Sequence, residues 1–139
     1  MIQRIQTVWL FLAALFAGLT YQFPFYTGNI INKENVHLYE KLLASSNFLV
    51  LIFTAGLIAG TIFIIFMYKN RKQQMWLTVA AAGLSIINIL LYFTELNKFT
   101  SGSMSLTSVF ALAIPVFLVL AINGMWKDEK LVKSLDRLR

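Results

Sequence analysis

Polar and apolar positions along this chain are sorted into blocks. No Asp, Glu, Lys or Arg occurs from Ile5 to Asn32, from Leu42 to Tyr68, from Gln73 to Thr94 or from Phe99 to Trp126. A membrane-crossing helix needs roughly 20 mainly apolar residues, so each window has room for one. A soluble helix would show a polar face at helical period, and these windows show none. The pattern predicts an all-α membrane protein with four transmembrane helices, at about 8–25, 47–68, 75–93 and 106–126. The connection "KNRKQQ" between the second and third is short, which forces an antiparallel hairpin. The whole of 1–126 reads as one antiparallel four-helix bundle. Pro24 falls near the end of span one, where a missing amide donor costs least. In the long first connection, 26–46, "TGN" reads as a turn and "NVHLYEKLLASS" as a short helix leading into span two.

The last window is followed by "WKDEKLVKSLDRLR", which changes the pattern completely. At helical spacing Leu131, Leu135 and Leu138 form one narrow apolar stripe, flanked by Lys127 and Ser134. Glu129 and Lys133 form a favourably oriented i, i+4 pair on another face. Residues 127–139 are therefore expected to be a cytoplasmic amphipathic helix, continuing span four or bent just after Trp126. Two roles fit it: lying on an anionic membrane surface, or docking against a partner. Three acids among five bases favour a partner in part.

Charge placement sets an orientation. Arg4, Lys69, Arg71, Lys72, Lys127, Lys130, Lys133, Arg137 and Arg139 fall on one side of the predicted spans, and Lys33, Lys41 and Lys98 on the other. Basic residues accumulate in short cytoplasmic connections, so both termini are expected in the cytoplasm. Trp9, Trp76 and Trp126, with Tyr68, lie at the same ends of the spans. Tyr21, Tyr26, Tyr92 and Phe93 lie at the other ends, as interfacial aromatics do. Arg4 before an apolar run resembles a signal peptide, but "AGLTYQFPFY" offers no small-x-small cleavage site, and the run reads as an uncleaved span. The candidate surface for a partner or lipid is the cytoplasmic rim: Arg4, Lys69, Arg71, Lys72, Lys130, Leu131, Lys133, Leu135, Arg137, Leu138 and Arg139.

Inside the spans, Gly56 and Gly60 stand four apart beside Ala55 and Ala59, and span three carries "AAAGLS" with Gly83. Small residues at this spacing let membrane helices approach closely. They are expected to pack spans two and three together, with a dimer face as the alternative. Asn88 is the one strongly polar residue well inside a span. An amide in hydrocarbon needs a partner, and Thr54 or Thr61 could supply one. The alternative is a polar point on a ligand path. Pro115 should kink span four, as fixed shape or as a hinge.

Composition narrows the chemistry. The chain is 58% hydrophobic and 13% charged, with a net charge of +6, but its bases flank the spans and form no broad face for nucleic acid. It has no cysteine, so disulfides, thiol catalysis and cysteine metal sites are excluded. His37, the single histidine, has Glu34 and Glu40 three residues to either side. A weak zinc site is conceivable there, but an exposed loop histidine is the plainer reading. Glu95 and Lys98 look like a boundary pair. The spans hold no Asp, Glu, Lys, Arg or His, so the groups that proton-coupled transport and ion conduction usually use are missing from them. No nucleophile–base pair is visible; the chain is not expected to be an enzyme or to carry a cofactor.

"MIQRIQT" at one end and "KDEKLVKSLDRLR" at the other together resemble the domain of unknown function 4293 family, small four-helix membrane proteins of Bacteroidota. The resemblance covers both end motifs, the four spans and the length. It implies an inner-membrane, multi-pass protein and brings no established activity. The expected function is a non-catalytic accessory or structural subunit of a larger inner-membrane complex, with membrane lipids and other integral membrane proteins as partners. A lipid- or quinone-binding protein is the alternative, and a small transporter the third.

Overall fold

The computed structural model describes residues 3–31, 37–67 and 69–136. Four helices dominate: α1 (Gln3–Leu19), α2 (Phe48–Phe66), α3 (Arg71–Leu96) and α4 (Val109–Asp136), the last entered through a single 3₁₀ turn, Leu106–Ser108. Phe48–Phe66, Arg71–Leu96 and Leu106–Ser134 are long and apolar enough to cross a membrane, and Ile5–Leu19 is a shorter apolar helix.

Each helix packs on two others, α1 and α3 both contacting α2 and α4. Neighbours run antiparallel. Trp9 stacks on Phe117 with ring centroids 5.8 Å apart, and Phe16 meets Phe110 edge-on at 5.3 Å. The Tyr21 hydroxyl donates to the Leu51 carbonyl at 3.0 Å. The main core joins Leu10, Ala13 and Ala17 of α1 to Leu57 and Ile64 of α2, Ala81 and Ala82 of α3, and Ile114, Leu118, Ala121 and Met125 of α4.

The inward stripes are not the most apolar ones. On α2 the buried positions are Val50, Thr54, Leu57, Thr61 and Ile64, and on α3 they are Gln74, Thr78, Ala81, Ala82, Ser85, Asn88 and Tyr92. Many large apolar side chains point outward: Phe66 is 73% exposed and Leu90 58%. A soluble bundle would do the reverse, because its outer surface must face water. With lipid outside there is no hydrophobic drive between helices, and small and hydroxylated residues form the contacts instead. The inner hydroxyls are satisfied locally. Thr61 donates to the Leu57 carbonyl at 2.7 Å, Thr78 to Gln74 at 2.8 Å and Ser85 to Ala82 at 2.7 Å.

Gly56, Gly60 and Gly83 do not pack α2 against α3. A Cβ at any of them would meet nothing within 4 Å, because the inward stripe of α2 runs through 54, 57, 61 and 64 and leaves both of its glycines off it. The small pair that does pack is Ala13 and Ala17 of α1, buried at the same four-residue spacing in the core shared with α4.

The first connection is not a turn and a helix. Tyr26–Ile31 forms β1 and His37–Leu42 forms β2, paired antiparallel with Tyr26 opposite Leu42. A third strand, β3 (Ser101–Met104), comes from the α3–α4 connection and pairs with the other edge of β1. "TGN" therefore lies within a strand. Gly28 sits opposite Gly102, and a Cβ on Gly102 would stand 2.6 Å from the Gly28 Cα. Both glycines serve close backbone approach, a recognised use of glycine in strands. The sheet is joined to the bundle: Phe25 N–H donates to Leu42 at 2.7 Å, Ala44 N–H to Thr20 at 3.1 Å and Ser105 N–H to Phe25 at 3.1 Å. Phe25 stacks on Tyr92 at 4.7 Å in a second core with Leu42, Ala44, Val50 and Ala111. One end of the bundle thus carries the sheet, with Lys41 and Lys98, and the other carries Lys69, Arg71, Lys72, Lys127, Lys130 and Lys133.

Candidate docking surface

The basic end is built from the start of α1, the α2–α3 turn and the end of α4. Its buried centre is a bond that spans nearly the whole sequence: Gln6 Nε2 donates to Asp128 Oδ2 at 2.6 Å. Gln6 is 6% exposed and Asp128 8%. Gly124 makes the space, since a Cβ there would stand 2.9 Å from Gln6 Cγ. Beneath them Gln74 reaches across to α2, donating to the Ile64 carbonyl at 3.1 Å, and the Thr78 hydroxyl contacts Met125 Sδ at 3.8 Å. A charge-assisted bond in a buried position holds the two helix ends together and is costly to leave half made.

Asp128 divides α4 into two parts. Up to it the helix is packed in the bundle. From Lys130 to Ser134 every residue is exposed, and Lys133 pairs with Glu129 at 2.8 Å, the i, i+4 pair expected from spacing. No break separates span from tail. At 1.5 Å per residue, the 28 residues of α4 make roughly 42 Å of helix, against roughly 28 Å for the 19 of α2. Pro115 lies inside this run. Lys127, Lys130, Leu131 and Ser134 line a shallow groove of about 380 Å³ on one face of the overhang. Leu131 is 52% exposed, and Val132, which the leucine stripe overlooked, is 44% exposed.

Lys69, Arg71 and Lys72 border a polar pocket at the α2–α3 turn. The Asn70 side chain donates to Gln73 Oε1 at 3.1 Å and makes no cap bond to the first amides of α3. Arg4 falls in the first turn of α1 and Leu135 in the last turn of α4, with side chains outside the described set. Arg137, Leu138 and Arg139 lie outside the described residues. So does Glu34, one of the two carboxylates of the zinc reading; the other, Glu40, is on β2 with His37. Among the described residues no cluster of His, Cys, Asp or Glu could hold a metal.

A family model described as "Domain of unknown function (DUF4293)" matches residues 2–138, which takes in both end motifs except Met1 and Arg139. The chain belongs to the DUF4293 family. No curated protein and no solved structure matches it. In this DUF4293 protein the two end motifs of the sequence meet in space, through Gln6 of "MIQRIQT" and Asp128 of "KDEKLVKSLDRLR".

The other polar sites lie deeper or at the sheet end. Asn88 Nδ2 donates to Thr54 Oγ1 at 3.0 Å, which joins α3 to α2 through one of the two hydroxyls expected. Asn88 Oδ1 is buried without a hydrogen-bond partner, and the Tyr92 hydroxyl, one turn on, is buried beside Thr20 and Thr54. At the sheet end Asn47 caps α2 by accepting from Leu49 N–H at 2.8 Å, and its Nδ2 donates to Glu95 Oε1 at 2.6 Å. Glu95 also pairs with Lys98 at 2.7 Å. The Glu95–Lys98 pair was visible in the sequence. Asn47 was not connected to it, because a capping residue 48 positions away gives no local signal.

Proposed function

We propose that this protein crosses the cytoplasmic membrane four times, with both termini in the cytoplasm, and serves as a non-catalytic accessory subunit of a larger membrane assembly. The observation that carries the reading is the overhang of α4. Past Asp128, two helical turns extend from the packed bundle with Leu131 and Val132 uncovered among charged residues. Such a face, apolar in part and charged of both signs, suits a helix-in-groove contact with a partner's cytoplasmic surface. The Gln6–Asp128 bond supports four spans over three. It ties the start of α1 to α4, and α1 then runs antiparallel beside α4, which favours α1 lying across the same layer as α4. At 17 residues α1 is roughly 26 Å long, within reach of a hydrocarbon core of roughly 30 Å. The basic excess at this end agrees with a cytoplasmic location.

The test is a truncation. Removal from Lys127 onward would also delete Asp128 and leave Gln6 buried without its acceptor, so the informative cut removes Lys130 to Arg139. The shortened chain is expected to insert and melt as the full chain does, but to lose proteins that co-purify with the full chain from native membranes. Unchanged recovery of the same proteins would contradict the docking role.

A further inference from the structure

The last turns of α2 and the first of α3 border an apolar groove of about 520 Å³, lined by Phe63, Met67, Lys72, Gln73, Trp76 and Leu77. Beside it, sharing Lys72 and Gln73, is a polar pocket of about 500 Å³ bordered also by Lys69, Asn70 and Arg71. Both volumes fall within the roughly 300–1,000 Å³ of small-ligand clefts. No part of the described chain covers the groove, and Phe63 and Trp76 are 60% and 64% exposed. The paired lining is amphipathic: aromatic and aliphatic along one part, three cations and no acid in the other. Glu129 lies close enough to act on Lys72, but its carboxylate is bonded to Lys133 at 2.8 Å.

We propose that these two concavities form one site for an anionic phospholipid. Its phosphate would sit over Lys69 and Lys72, and an acyl chain would run along Phe63, Met67, Trp76 and Leu77. The walls belong to the outward faces of α2 and α3, helices apolar enough to span, so the medium that reaches the groove is the bilayer. Trp76 stands where an interfacial indole belongs, one turn from the cations. Basic side chains at that level attract anionic headgroups. The site rests on the reading of α2 and α3 as membrane spans and is independent of docking by the α4 overhang.

Native mass spectrometry of the full chain in detergent tests it, with dioleoyl phosphatidylglycerol, dioleoyl phosphatidylcholine and glycerol phosphate as probes at equal concentration. The phosphatidylglycerol adduct is expected to exceed the phosphatidylcholine adduct by roughly tenfold, with no adduct of glycerol phosphate. Lys69→Gln with Lys72→Gln should bring the ratio to about one. Both lysines are exposed, and an unchanged melting temperature without lipid checks that the variant folds. In the tail, Lys127→Gln with Lys130→Gln, which keeps the Glu129–Lys133 pair, should leave the ratio unaltered. A wild-type ratio near one, persistence of the preference in the Lys69 and Lys72 variant, its loss in the tail variant, or equal binding of glycerol phosphate would each overturn the site. Extraction of the protein from membranes by alkaline carbonate would instead overturn the span reading, and the site with it.

Discussion

At the residue scale the interior is organised by where polar groups find partners. Asn88 bonds Thr54 across helices, while the threonines and serines around it bond their own helix. Interhelical bonds of this kind contribute about 0.5–2 kcal/mol in membranes, so Asn88→Leu is expected to lower stability by that amount in reversible detergent unfolding. Thr54→Val should lower it similarly, and the double variant should lose less than the sum. Glycine positions give an opposite pair of expectations. Gly56→Leu points into open space and should leave the melting temperature near wild type, whereas Gly124→Ala presses on Gln6 Cγ and should lower it, consistent with overpacking costs of about 1–3 kcal/mol. Asn88 was legible in the sequence because one amide in an apolar span has few possible partners. The glycines were misread because their four-residue spacing says nothing about which side of the helix turns inward. The stripe of Thr54, Thr61, Gln74, Thr78, Ser85 and Asn88 does mark that side, and its helical spacing was present in the sequence.

Elements show a clearer division between local and distant information. The long helices follow from charge-free windows; α2 lies close to the expected limits, and α3 starts four residues earlier and ends three later than expected. Span one ends earlier, at Leu19, because residues beyond Tyr21 lead into the sheet. The sheet itself was hidden. β3, "SGSM", is fully exposed and has no apolar alternation, and it is a strand only because β1, some 70 residues earlier in the chain, offers it an edge. The Gly28–Gly102 crossing is the contact that this pairing requires. Gly102→Ala should destabilise the protein by about 1–3 kcal/mol and accelerate backbone amide exchange in β1 and β3 before that in the helices. Residues 127–136 continue α4 without a break, the first of the two courses expected for them. Gln6→Leu should cost about 1–3 kcal/mol by leaving a buried carboxylate without its donor, and Asp128→Asn, which keeps an acceptor oxygen, should cost less. Equal melting temperatures for Gln6→Leu and wild type would remove the bond from the list of stabilising contacts.

The whole molecule is a small bundle with two unlike ends. One is closed by a three-stranded sheet, joined to the bundle by backbone hydrogen bonds among the connecting residues and by Phe25 stacked on Tyr92. The other is tied by Gln6 and Asp128 and prolonged by α4. Between them a seam of small and hydroxylated side chains is surrounded by outward Phe, Leu, Ile and Val, an arrangement stable where the surroundings are hydrocarbon. The central claim is that this bundle crosses the membrane four times with its basic end in the cytoplasm. The chain has no cysteine, so single cysteines report position without background. Gln3→Cys, Ser103→Cys and Lys130→Cys can each be exposed, in intact cells whose outer barrier is permeable to it, to a maleimide that does not cross the cytoplasmic membrane. Ser103→Cys is predicted to label at once, and Gln3→Cys and Lys130→Cys only after that membrane is opened. Labelling of Gln3→Cys from outside would mean three spans and would contradict the account, and protection of Ser103→Cys with labelling of Lys130→Cys would reverse its orientation.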